Sequence, residues 1–387
     1  MRIPKWPVSG EREQELLRDV LTSKQWGGFH DIVGQFEQSF AAYQHCTHGI
    51  AVANGTVALE VALEAAGIGH GDEVIVPAIS FISTATAVSR VGAVPVFVDI
   101  EPYTFNMDPG CAARAITPRT KAIIAVHFGG PLADMDRLVD LARSHKLFLL
   151  EDAAHAHGSE WKGRRAGSFG DASTFSFQNG KVLTAGEGGI VLTCNDELGA
   201  KIRSLANQGR QPGATFFHHF DLGTNLRLTA FQAAVLIAGL ERLPEQIATR
   251  TRNAEFLLKG LSGVDGIHWQ EVDPRINTHS WYLMLGRIDR ERLGMSRDEF
   301  HKGLQAAGVP CTPFYPHTLY QNPLYQKMPC RVEPCPNAEA SIHDAFWIPH
   351  YVLLGDEPLM REVADAVKQG VRNPVVENRG MASQTLD

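Results

Sequence analysis

Long apolar runs are missing from this chain. Nowhere do about 18 consecutive apolar residues occur, so no membrane-spanning helix and no membrane partner are expected. The amino-terminal Met1–Pro7 lacks the apolar core of a secretory leader. Cysteine is sparse: Cys46, Cys111, Cys194, Cys311, Cys330 and Cys335 lie far apart, and reduced thiols in a cytoplasmic protein are expected. Cys330 and Cys335 have no second Cys/His pair at suitable spacing, and His45-Cys46-Thr47-His48 is likewise incomplete, so no metal is expected. Clustered positive charge is also absent. The 36 Lys and Arg are dispersed among 43 Asp and Glu, and a net charge of −7 excludes the basic face that nucleic acid requires. No repeat or low-complexity segment occurs.

What the chain does have is ordinary globular material: 387 residues, 44% hydrophobic and 20% charged. From residue 50 to about 195, short apolar runs alternate with helical patterns. The runs are Ile50–Val52, Val74–Val76, Val94–Val98, Ala122–Val126, Leu147–Leu150, Ser173–Phe177 and Ile190–Leu192. Helical stretches such as Thr56–Ala66, Ile82–Val91 and Met135–His145 separate them. Strands apolar throughout and alternating with helices predict an α/β fold, a doubly wound, mainly parallel sheet covered on both faces. Two further helical stretches, Thr229–Leu240 and Glu245–Leu261, lead into a smaller α+β unit. It contains strand-like His268–Glu271 and Ser280–Arg287 and helices near Arg297–Ala307 and Glu357–Gly370. Thr312–Pro336, rich in Pro, Tyr and Cys, is expected as an ordered loop lining something. The division predicted is a large domain over 12–245, a small one over 246–372 with residues 1–11 packed near it, and a frayed tail over 373–387.

Two segments carry chemistry. Phe148-Leu-Leu-Glu-Asp152 is an apolar strand ending in an acid pair, and Ser173–Phe177 leads through Gln-Asn-Gly to Lys181 and a glycine-rich turn at Gly186–Gly189. Pyridoxal 5′-phosphate (PLP) needs an amine to hold it covalently and a carboxylate against its ring nitrogen. Lys181 supplies the first; the flanking apolar strand and glycines argue against an ordinary solvated lysine. Asp152 supplies the second, because a nearby anion keeps the ring nitrogen protonated, and open α/β sheets place ligands at the carboxyl ends of strands. Glu151 alternates to the other face. Asn54-Gly55-Thr56 follows a strand and opens a helix, with Thr56 as N-cap and Gly55 allowing close approach of an anion. Ser176 is the second candidate hydroxyl for the phosphate. Phe81, at another strand exit, is placed to stack on the ring or to serve as core. His155 is placed to stack on the cofactor or hydrogen-bond its phenolic oxygen. His127 and His157 have no role argued for them.

These motifs, Glu151-Asp-Ala-Ala-His-Ala-His-Gly158, Phe175-Ser-Phe-Gln-Asn-Gly-Lys181 and Thr184-Ala-Gly-Glu-Gly-Gly189, resemble the DegT-type sugar aminotransferases over nearly the whole chain. The nearest branch comprises keto-cyclitol aminotransferases and aminohydroxybenzoate synthases. The resemblance implies a fold-type I PLP enzyme with Lys181 as the cofactor-linking lysine, Asp152 as the pyridinium partner and Ser176 as a phosphate ligand. It also implies phosphate contacts from Gly55 and Thr56 and ring stacking by Phe81. It implies an obligate homodimer in which Asn225, of Asn225-Leu-Arg227, reaches the partner's phosphate. His155, where many members carry Gln, and Gln178-Asn-Gly before Lys181 argue against a nucleotide-linked substrate.

The expected function is transfer of an amino group from glutamine or glutamate to a keto cyclitol or keto sugar, both small molecules, in amino-sugar, aminocyclitol or other natural-product biosynthesis. Three alternatives stand beside it: an aromatising dehydratase like aminohydroxybenzoate synthase, a nucleotide-linked keto-sugar aminotransferase, and a cofactor-binding regulator without turnover. Tyr315, His317 and Tyr320 are candidates for the acceptor pocket or members of an ordinary packed loop. Arg227 is a candidate for the donor carboxylate or for holding the Asn225 turn.

Overall fold

A computed structural model describes residues 1–372; the expected tail over 373–387 lies outside the described residues. The seven apolar runs become the strands His48–Val52, Glu73–Pro77, Val94–Val98, Thr120–Val126, Phe148–Asp152, Ala172–Ser176 and Gly189–Thr193. With the short strand Arg331–Val332 they form one eight-stranded sheet. Across it the strands starting at 48, 189, 172, 148, 120, 73, 94 and 331 follow one another. Neighbours run parallel except at Gly189–Thr193, which is antiparallel to both of its partners.

Period-two alternation explains why this sheet is covered twice. Ile75, Ile123 and Leu149 pack on one face against Val20, Phe36 and Phe40 from the helices Glu11–Ser23 and Asp31–Tyr43. Their neighbours Val74, Val76, Ile124 and Leu150 pack on the other face against Leu59 and Leu63 of the helix Gly55–Ala65.

A separate core around Phe300, Phe346 and Val363 is built by a four-stranded sheet with the helices Arg297–Ala306 and Glu357–Arg372. Ile3 packs against it. The stretch Thr312–Pro336, expected as a loop, contributes a strand to each sheet, Thr312–Pro313 to the smaller and Arg331–Val332 to the edge of the larger. Arg331 is held there by Glu73 at 3.2 Å. Among the described residues no helix is long and apolar enough to cross a membrane.

The two helical stretches expected around residue 240 are one 32-residue helix, Ala230–Leu261, with Pro244 inside it. An interior proline loses a hydrogen bond and costs about 3 kcal/mol. Packing on both sides offsets it: Leu243 and Ile247 bury in the first core, Ala254, Leu257 and Leu261 in the smaller one. The boundary expected between 245 and 246 therefore falls inside a continuous helix.

Arg250 of this helix is fully buried and donates Nε–H to the Ser280 carbonyl at 2.9 Å, and burial pushes its guanidinium down to about 9. Burial also pushes His157 and His279 down to about 3 and holds His155 and His350 well below the usual histidine value of 6.5. Each of these imidazoles binds a proton more weakly folded than unfolded. As pH falls through 6.5, the unfolded chain takes up protons that the folded chain refuses. Stability is thus full above 6.5 and declines below it, by up to about 1.4 kcal/mol per pH unit for each histidine. Asp152, whose carboxyl burial raises, acts in the opposite sense but is outnumbered. Thermal denaturation between pH 7.5 and 5 is predicted to show a melting temperature that drops steeply below 6.5. A flat profile contradicts the neutral burial of these histidines.

Candidate active site

At the carboxyl ends of the central strands lies a cavity of about 590 Å³, lined by Gly55, Thr56, Phe81, Asp152, His155, Ser176 and Lys181 together. Of the residues singled out in the sequence for the cofactor, Asn225 alone is elsewhere.

The acid pair divides its work as alternation requires. Glu151 is fully buried away from the cavity, where it accepts the backbone amides of Gly167, Phe169 and Gly170 at 2.7–2.8 Å. It also pairs with His127 Nε2 at 2.9 Å, and His127 Nδ1 accepts the Ala133 amide, so Nε2 carries the proton. Glu151 is a structural carboxylate that ties the turn around residue 168 to the strand end. Asp152 faces the cavity. Its Oδ2 accepts from Thr84 Oγ1 at 2.7 Å, and Thr84 Oγ1 lies 2.7 Å from Ser80 Oγ. Because Thr84 gives its proton to the carboxylate, Ser80 donates to Thr84 in turn. Burial raises the Asp152 carboxyl above the usual range, against the opposing effects of Thr84 and Lys181. A cation in contact would restore the carboxylate, and a protonated ring nitrogen is such a cation.

Lys181 sits in the turn after Ala172–Ser176, with Nζ 3.5 Å from Tyr282 Oη and 4.5 Å from the centre of its ring. His155 accepts the Gly129 amide on Nδ1 at 3.2 Å, which leaves the proton on Nε2. Burial keeps this imidazole neutral, so its free nitrogen is a donor. Phe81 lines the cavity with 58% of its surface open, an aromatic face free for stacking.

Thr56, expected as the N-cap, lies inside the helix; Asn54 is the cap, in extended backbone, accepting the Val57 amide at 3.0 Å. A cap needs non-helical backbone, and Asn54 is the residue where the strand connection ends. The correction frees Thr56 Oγ1, which lies 2.7 Å from Ser83 Oγ. The amides of Gly55 and Thr56, in the first turn, have no acceptor within the helix. Ser176 presses on this turn: a Cβ at residue 55 would fall 2.8 Å from Ser176 Cβ, so glycine is required. Amides at a helix start flanked by two hydroxyls suit a phosphate. Phosphate cradle, buried carboxylate and lysine around one cavity fit PLP.

Asn225 is exposed, accepts the Arg227 amide at 3.3 Å and bridges Asn207. Arg227 also lies outside the cavity, bonded to Asn207 at 2.8 Å with its guanidinium 4.9 Å from the Phe29 ring centre. Of the loop candidates, Tyr315 lines the cavity, whereas Tyr320 donates to Glu339 at 2.6 Å and His317 is not among the lining residues. Sequence reasoning missed Ser80, Thr84 and Tyr282. The first two carried a faint signal, hydroxyls four apart across a helix start; Tyr282 arrives from a hundred residues away with none.

The DegT/DnrJ/EryC1/StrS aminotransferase family model matches residues 7–368. The chain is 39% identical to 3-amino-5-hydroxybenzoate synthase of Amycolatopsis mediterranei (strain S699), covering 95% of this chain and 97% of that one. It is 37% identical to L-glutamine:2-deoxy-scyllo-inosose aminotransferase of Streptoalloteichus tenebrarius, covering 96% and 94%. The crystal structure of 3-amino-5-hydroxybenzoic acid synthase superposes with a TM-score of 0.90 at 38% identity, over 96% of this chain and 99% of that one. With its cavity, its lysine and its paired carboxylate in this setting, the chain belongs to the DegT/DnrJ/EryC1/StrS aminotransferase family and is a PLP-dependent aminotransferase of fold type I.

Proposed function

We propose that this enzyme transfers an amino group from glutamine or glutamate to a keto cyclitol or keto sugar. The observation that carries the reading is a buried carboxylate, Asp152, sharing one cavity with a lysine, Lys181. The relatives add the substrate class, because one of them is a glutamine-dependent aminotransferase of a keto cyclitol. PLP, when bound, supplies the ring that withdraws electrons from the substrate carbon. Everything else falls to the chain. Asp152, braced by Thr84 and Ser80, holds the ring nitrogen protonated. The Gly55–Thr56 turn and Ser176 would hold the phosphate, Phe81 offers an aromatic face for the ring, and the Nε2–H of His155 would be a donor to the phenolic oxygen. Lys181 carries the proton to and from the reacting carbon in both half-reactions. Tyr315, in the cavity wall, offers a hydroxyl to a polyol acceptor. We assign the cofactor-binding unit chiefly to residues 12–245 and the smaller unit to 246–372, with Arg331–Val332 crossing back to the edge of the larger sheet.

The reading includes a cytoplasmic homodimer. Phe216, Phe217, Phe220 and Leu222 are all more than half exposed, Phe29 lies 6.2 Å from Phe216, and exposed Asn225 follows Leu222 by three residues. Large contiguous apolar patches are uncommon on monomers. A second copy covering the patch would bring Asn225 to the partner's phosphate.

A second reading, an aromatising dehydratase, is favoured by the similarity to 3-amino-5-hydroxybenzoate synthase. One experiment separates them. The enzyme is incubated with glutamine and a scyllo-inosose-type ketone, which cannot aromatise, and the products are analysed by mass spectrometry. The aminated cyclitol is expected. No amination of this ketone or of nucleotide-linked keto sugars, together with aromatisation of a cyclic amino ketone, would overturn the primary reading.

A further inference from the structure

Tyr282 is held at the reaction centre more firmly than a wall residue requires. Its hydroxyl lies 3.5 Å from Lys181 Nζ, and its ring centre is 4.3 Å from that of His155. The preceding residue, Trp281, adopts φ +54°, a left-handed conformation uncommon for a large side chain. Such strain persists only where the surroundings enforce it, and here they do. Ser280 is tied three times: its amide donates to Ser159 Oγ at 2.9 Å, its hydroxyl donates to the His155 carbonyl at 2.7 Å, and its carbonyl accepts from buried Arg250 at 2.9 Å. His279 stacks on Trp281 at 4.0 Å and accepts its amide, and the Leu283 amide donates to the Gly129 carbonyl. A segment from the smaller sheet is thereby locked to the loops that carry His155.

We infer that Tyr282 is a positioning residue for Lys181, an inference that rests on Lys181 being the proton carrier of the proposed reaction. To carry a proton, Lys181 would need a free side chain held toward the reacting carbon. A free lysine spreads over many rotamers, which costs about 2 kcal/mol to suppress. The phenol meets both protonation states: its oxygen accepts from the ammonium, and its O–H donates to the free amine. Its ring face, 4.5 Å from Nζ, adds an attraction to the cationic form. Lys181, His155, His350 and Tyr315 are the titratable groups that stand around it.

The test compares wild-type holoenzyme with Tyr282→Phe, which keeps the ring and removes the hydroxyl. The kcat for the glutamine half-reaction should fall about tenfold to a hundredfold with KM within about twofold. The pH midpoint of the resting enzyme's visible absorbance should shift, and PLP should join the apoprotein more slowly in stopped flow. Wild-type values for kcat, pH midpoint and joining rate would overturn the proposal. Should Tyr282→Phe not fold, Ser280→Ala cuts one tether and keeps the phenol. A smaller loss of kcat with a shifted midpoint supports the inference; an unchanged enzyme overturns it. Failure of the underlying reading shows first and separately, as a wild-type protein in which borohydride fixes no cofactor on Lys181.

Discussion

A carboxylate taken out of water must find a cation or give up its charge, and this active site is arranged around that constraint. Asp152 ends a central strand, nearly buried, with one hydrogen bond from Thr84 and a long one from the Ala154 amide. Two neutral donors cannot replace the hydration of an anion. A protonated pyridine nitrogen in contact would supply the missing charge. The cavity that Asp152 faces also brings together the Gly55–Thr56 turn, His155 and Lys181.

The adjacent Glu151 shows how position selects role. It is as buried as Asp152, yet three amides and an imidazole satisfy it entirely within the fold. One residue's difference in strand phase separates a carboxylate that holds structure from one that faces the cavity. The smaller sheet is coupled to this centre through the continuous helix Ala230–Leu261, whose Arg250 reaches the Ser280 carbonyl.

Much of this was legible in the residues. Apolar runs alternating with helical patterns marked the sheet because burial on both faces leaves no polar phase to misread. Lys181 and Asp152 stood out because few chemistries need an amine and an acid on such strand ends. Local signals failed where a competing local or long-range effect decided. Asn54 took the cap from Thr56 by virtue of its extended backbone. Pro244 did not end its helix, because apolar contacts on both sides exceed one lost hydrogen bond. Thr84 looked like an ordinary first-turn threonine, and its partner Asp152 is 68 residues away. Tyr282 owes its place to Ser280, which is tied to Ser159 and His155, residues more than a hundred positions away. Asn225 lies outside the cavity, where it accepts the Arg227 amide and bridges Asn207, a placement that its motif alone did not indicate.

The central claim is that the Asp152 charge, and not merely its shape, drives amine transfer. Asp152→Asn keeps the shape and removes the charge. With PLP bound, the single-turnover rate of the glutamine half-reaction should fall at least about a hundredfold, the order expected when a buried ion pair worth roughly 3 kcal/mol or more is broken. Borohydride should still fix the cofactor on Lys181. A variant that transfers the amine at the wild-type rate would contradict the account.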